Sequence, residues 1–548
     1  MKQVFRVAFL AVVLVSVAAI LVLTQGQAGV AQTDDALAAA ATTFRGVLTF
    51  HNDNQRTGHN LAETVLTQSN VRVGAFGKLF TLTTDGRVDA QPLYVPNLSI
   101  NGGTHNTLFV ATEHGSLYAF DADQGVLLWR VTTLKSGEVP SDDRGCGQVT
   151  PEIGITGTPI IDLAAGAHGI IYLVAMSKTS SGVYHQRLHA IDLSTGAQQF
   201  GGPVEVAATY PGTGDNSSNG SVVFDPKQYK SRPGLVLVRH MIYTFWSSHC
   251  DYRPYTGWII SYNQNTLKQQ SVWNVTPNGN AASIWAAGAA PASDSLGNLY
   301  FLTGNGTFDT TLNSSGFPNR ADYGNAFMKV STSLNKMSVA DYFTMSNTVA
   351  ESNADQDLGS GGVVVLPNIK DGNGVIHHLA AGAGKDTKIY LVDRDNMGKF
   401  SANDAKIYQE VSGALTGGVF SAPAYYNSRL YFGAVGDHIK AFGFGTNGKL
   451  IATPKSQTST VFGYPGATPA ISAGPGNQGI VWAVENASVA VLHAYSAQNL
   501  AVELYNSNQA ANSRDHFGAG NKYIVPTIAN GKVFVGTTNG VGVFGLLP

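Results

Sequence analysis

The sequence predicts an all-β fold: an eight-bladed β-propeller of four-stranded antiparallel blades, closed by an N-terminal strand that completes the last blade. Three observations predict it. Charged residues make up 13% of the 548-residue chain, against about 25% in an ordinary domain, while it carries 62 Gly, 25 Phe and 22 Tyr. Such a composition suits sheets and tight turns. A meander of short apolar strands then recurs at roughly 40–65 residues, the spacing of propeller blades. Finally, one strand near the N-terminus has no meander of its own, and the last meander is one strand short.

The chain opens Met1-Lys-Gln-Val-Phe-Arg6, continues apolar to about Leu23, and reaches small residues ending Gly29-Val30-Ala31. Two cations, an apolar core and a small-x-small site describe a secretory signal peptide over 1–31, cut after Ala31. The alternative is an uncleaved anchor, because the apolar run nears the ~20 residues that span a bilayer. Only then would the protein meet a membrane. Residues 32–45, rich in Ala and Thr, read as a disordered lead-in, and 46–548 as the propeller. The protein is therefore expected to be secreted or periplasmic. In such a compartment Cys146 and Cys250, far apart in sequence, suit a disulfide better than a metal pair, with two buried free thiols as the alternative. Net charge is -2, with no basic run, which excludes nucleic acid as a partner.

Residues 108–129 set the blade template: an apolar strand, a His-Gly turn, an alternating strand, an Asp-x-x-x-Gly turn and a strand ending at Trp129. Residues 90–95 supply its innermost strand. Corresponding segments begin near 156, 235, 289, 361, 421, 467 and 523, and several inner strands start after Pro159, Pro423, Pro469 or Pro526. A proline there loses no ladder hydrogen bond. The last meander ends at 541–544 without its outer strand. Residues 76–83 fill that place, which also removes an exposed sheet edge.

The Leu117-Tyr-Ala-Phe-Asp-Ala-Asp-Gln-Gly-x-x-x-Trp129 segment resembles the repeat of the pyrroloquinoline-quinone (PQQ) propellers, and the resemblance covers 76–548. Residues 146–159, 248–251 and 357–362 are similar to a bacterial branch of that quinoprotein alcohol dehydrogenase-like superfamily. In its dehydrogenases PQQ and Ca²⁺ sit over the channel, beside an aspartate base and a cationic side chain. The resemblance implies Asn305 as a Ca²⁺ ligand, Asp357 as base and second ligand, and Lys385 as the cation on the quinone. These residues follow second strands or precede inner ones, so the alternation of strand direction puts them on one face. Cys146 and Cys250 share that face. Asp251 stands near the position of the family's ligating glutamate, and Trp285 is the nearest candidate for its aromatic support.

Three departures weaken the quinone site. The chain has no Cys-Cys pair, Trp285 falls early for the supporting aromatic, and only Asp251 offers a carboxylate near 248–251. Without an aromatic platform a planar cofactor loses roughly 1 kcal/mol or more of stacking. Each candidate also has a plainer role: Asn305 in a turn, Asp357 paired with Lys385, and His114, His189 and His438 as blade residues. No phosphate loop, haem motif or hydrolase elbow is present in the sequence. The expected function is a monomeric, exported ligand- or protein-binding module of the cell envelope, whose partner is an envelope protein or a small molecule. The alternative is a divergent PQQ- and Ca²⁺-dependent alcohol or sugar dehydrogenase. A scaffold for other envelope proteins is a third possibility.

Overall fold

The computed structural model describes Phe44 and residues 46–548 other than Asn477. The predicted signal peptide and nearly all of the 32–45 lead-in lie outside the described residues. The chain is all-β, and its strands gather into a succession of antiparallel meanders. The first runs Leu93–Ile100, Gly103–Ala111, Ser116–Asp121 and Leu127–Thr132. Seven more sheets follow in chain order, four of four strands and three with a fifth strand, with inner strands Ile160–Asp162, Val236–Val238, Ala292–Ser293, Val363–Val365, Ala424–Tyr426, Ala470–Ser472 and Thr527–Ala529. We number these sheets one to eight.

Burial explains their sequence pattern. Ser116–Asp121 is buried at every position, whereas Leu127–Thr132 alternates between exposed and partly exposed residues. A middle strand covered on both faces reads as a continuous apolar run, while an outer strand keeps one wet face. The apolar cores lie between sheets. Ile242 and Trp258 of sheet three pack with Tyr172 and Leu188 of sheet two, and Phe245 and Tyr243 face Phe301 and Met328 of sheet four. Further cores join four to five, five to six, six to seven and seven to eight. Another joins Phe534, Val541 and Val543 of sheet eight to Tyr94, Leu108 and Phe120 of sheet one. The last sheet thus packs on the first.

Phe76–Thr83 pairs antiparallel with Gly540–Leu546, as the strand count predicts, with Phe76 opposite Leu546 and Thr83 opposite Gly540. The Phe76 ring lies 5.5 Å from Trp482 and 5.0 Å from Tyr505, so the closing strand is anchored in the core between sheets seven and eight.

A strap of residues 47–60 touches the inner strands of all eight sheets in order. Val47 bridges to Tyr94 of sheet one, and Leu48 O accepts from Ile161 N of sheet two at 2.8 Å. Asn54 donates its Nδ2 to Leu237 O of sheet three and accepts Ser293 N of sheet four. Gln55, Thr57 and Gly58 present carbonyls to Val365, Tyr425 and Ile471 of sheets five, six and seven. Asn60 Nδ2 reaches Ile528 O of sheet eight at 3.0 Å. Its turns place His51, Asn52 and Arg56 at positive φ. At its centre Arg56 is fully buried and donates to Pro291 O (2.9 Å), Thr49 Oγ1 (2.8 Å), Phe50 O (2.8 Å) and Asp53 O (2.9 Å). A buried charge needs this saturation, because each unmet bond would cost kilocalories. Phe50 of the strap packs under Ala286, Ala289, Ala290 and Ala422.

Among the described residues, no helix is long and apolar enough to cross a membrane. One short helix, Thr348–Asn353, precedes sheet five.

Candidate functional site at the channel mouth

The loops that lead into the inner strands, and those that leave the second strands, carry the polar residues of one end of the molecule. Asp357 directly precedes the turn into sheet five and is 1% exposed. Lys385 follows the second strand of the same sheet. Its Nζ lies 2.7 Å from Asp357 Oδ2 and also contacts Asp355. The two backbones are tied as well, Lys385 N donating to Asp357 O at 2.9 Å. Burial raises the Asp357 carboxyl above its ordinary range, against the pull of Lys385. Burial works against the Lys385 charge too, but Asp357 and Asp355 outweigh it and raise the ammonium.

Asn305 joins this group from sheet four. Its Nδ2 donates to Asp355 Oδ1 at 2.6 Å, and its Oδ1 is buried without a partner. Asp251, after the second strand of sheet three, accepts the Tyr255 hydroxyl at 2.6 Å. Burial and then the charges of Asp251 and Asp357 push that phenol well up. Trp285 meets Tyr255 edge to face, ring centres 6.3 Å apart. Asp251, Asn305, Asp357, Lys385 and Trp285 are therefore brought together, with Asp355 and Tyr255 linking them. Asp251, Tyr255, Asn305 and Asp355 line an open cavity of about 540 Å³, bounded on one side by Val349, Ser352 and Asn353 of the short helix.

A second, cationic layer lies beside it. The Arg232 guanidinium sits 5.2 Å over the Trp285 ring and 5.0 Å over Tyr523, held by an NH1 bond to Gln148 Oε1 at 2.7 Å. Lys522 lies 5.1 Å from the Tyr464 ring. Burial, then the neighbouring Arg232 charge, lowers both Lys230 and Lys522 to about 7. Burial raises the carboxyls of Asp89 and Glu113, and Asp89 raises Glu113 further. Cys146 and Cys250 form a disulfide above this layer, Cα atoms 5.6 Å apart, with Lys230 Nζ 3.9 Å from Cys146 Sγ. His114, His189 and His438 hold ordinary contacts to Glu152, Gln198 and the Thr460 carbonyl.

No family model matches this sequence, and no curated protein matches it. Solved structures do. The quinohemoprotein alcohol dehydrogenase ADHIIG from Pseudomonas putida HK5 aligns with a TM-score of 0.61 at 14% identity, over 94% of this chain and 82% of its own. The quinohemoprotein alcohol dehydrogenase from Comamonas testosteroni aligns at 0.57 and 14%, over 94% and 82%. A europium-containing methanol dehydrogenase aligns at 0.50 and 12%, over 94% and 100%. The chain has the PQQ-like β-propeller fold. At such identities the likeness speaks for the fold alone.

Whether this PQQ-like propeller suits a quinone and a hard cation is a question for its own residues. Calcium takes six to eight oxygens. Asn305 Oδ1 and Asp357 Oδ1 are buried and unpartnered, but Lys385 neutralises Asp357, and among the described residues no three His, Cys, Asp or Glu gather as a metal group. A flat quinone would need an open aromatic face, yet Arg232 covers both Trp285 and Tyr523. The residues present do not fit either group.

Sequence reasoning missed Lys230, Arg232, Tyr255, Asp355, Lys522 and Tyr523. The signal was available: Lys230-Ser-Arg232 precedes the inner strand of sheet three and Lys522-Tyr523 that of sheet eight, the topological position that singled out Asp357.

Proposed function

We propose that this protein is an exported, eight-bladed ring of the cell envelope, secreted or periplasmic, that binds a small molecule or an envelope protein at its channel mouth without quinone chemistry. The cyclic order of the inter-sheet cores and the strap's one-by-one contacts support eight blades. The N-terminal sequence supports export. One observation supports the binding reading: the protein's own Arg232 lies over the Trp285 and Tyr523 rings, where it competes with a planar cofactor for an aromatic face. Cation–π contact of a desolvated guanidinium contributes about 2 kcal/mol, so the seat is a stable one. The test is to incubate the purified protein with PQQ and Ca²⁺ and to follow dye reduction with alcohols and sugars. No reduction is expected, and turnover would overturn the reading.

A second reading, a divergent PQQ- and Ca²⁺-dependent dehydrogenase, draws on the meeting of Asp357, Lys385, Asn305 and Asp251 at one mouth. In it Asp357 acts as the base and Lys385 polarises the bound group. Absence of PQQ binding by calorimetry with Ca²⁺ present would end it.

A further inference from the structure

The cavity of about 540 Å³ beside Asp357 falls within the 300–1,000 Å³ of small-molecule sites. Its charges are already spent. Arg253 gives Nε and NH2 to Asp215 at 2.8 Å each, and Lys385, behind the wall, is held by Asp355 and Asp357. No cation lining the cavity is free to call for an anion. The negative side is little stronger: Asp355 is shared with Lys385, and Asp251 takes the Tyr255 hydroxyl on Oδ1. What remains is neutral hydrogen-bonding capacity. The side-chain amides of Asn280 and Asn353 have no hydrogen bond among the described residues, and buried Asn305 Oδ1 and Ser352 Oγ have no partner.

Planar amides offer a donor and an acceptor side by side, which match the vicinal hydroxyls of a sugar ring. We propose that this cavity binds a neutral saccharide, with the unbonded side-chain amides of Asn280 and Asn353 reaching its hydroxyls. The inference rests on the binding-module reading and names its ligand class.

The experiment is isothermal calorimetry of the whole protein against four neutral trisaccharides, of glucose, mannose, galactose and N-acetylglucosamine, with citrate and spermidine as charged controls. At least one trisaccharide should bind, and Asn280→Ala and Asn353→Ala should each weaken it tenfold or more while the thermal midpoint stays unchanged. A variant that unfolds early is replaced by Asn280→Asp or Asn353→Asp, which keeps size but removes the donor and should also weaken binding tenfold. Binding of citrate or spermidine alone, of none of the probes, or of a trisaccharide indifferent to these variants would overturn the proposal. Failure here leaves the dye-reduction result untouched, and PQQ turnover would instead sink the binding-module reading itself.

Discussion

Replacing Arg56 by alanine tests whether the strap holds the ring together. Four hydrogen bonds of 2.9 Å or less leave this guanidinium, three of them from NH1, whose two protons must be shared. Bonds from a charged donor contribute about 1.5–3 kcal/mol each, so three full equivalents amount to about 7 kcal/mol. Against them stands the cost of burying the cation, which lowers its proton affinity from the ordinary arginine range to about 9. At about 1.36 kcal/mol per pH unit that cost is roughly 5 kcal/mol. The net loss in Arg56→Ala is therefore about 2 kcal/mol, and Arg56→Lys, with three donors but no fork, should fall between. Urea unfolding followed by tryptophan fluorescence reads it as a lowered midpoint, and amide exchange at 47–60 should rise in parallel. A midpoint loss equivalent to less than about 1 kcal/mol, with exchange unchanged, would refute the reasoning.

Three more outcomes are expected. Lys385→Met strands Asp357 without its counter-ion and should cost about 3–5 kcal/mol, most of it restored by adding Asp357→Asn; a single variant as stable as the parent would count against the pair. The Cys146–Cys250 bridge closes a separation of 104 residues, so the double serine variant should lose about 2–4 kcal/mol in a urea titration, and equal midpoints would show that the bridge does not restrain the unfolded chain. Burial lowers His51 from 6.5 to about 4, so between those values the unfolded chain takes a proton that the native ring refuses. Stability should fall as pH drops from 6.5 to 4, by about 3 kcal/mol from His51 alone; His189 and His249, lowered to about 3, act in the same direction. Thermal midpoints at pH 7 and 4 measure this, and His51→Gln should flatten the slope.

The sheets were legible because each is a local event. Alternation, Asp-x-x-x-Gly turns and prolines ahead of inner strands all act within some 20 residues, and even the closing strand followed from a count. The mouth was half legible. A topological rule placed Asn305, Asp357 and Lys385 on one face, where they converge, and the family resemblance added Asp251. Arg232 and Lys522 stand at the same topological position, but neither corresponds to a site residue of the family pattern. The strap was not legible at all. His51-Asn-Asp-Asn-Gln-Arg-Thr-Gly58 reads as a polar loop, since its partners lie between 94 and 528 and no periodicity announces them. His51 and Arg56 look like solvated residues, and only the assembled ring buries them.

That strap acts as a gauge. It bonds to every sheet, from Val47 on the first to Asn60 on the last, with two bonds to sheet one and with His59–Asn60 running as a parallel strand beside Ala470–Ser472 of sheet seven. A chain that duplicated one meander would bring an extra inner strand to the axis and find no group waiting for it. The succession of sheets is thus matched by contacts from fourteen residues that precede them all.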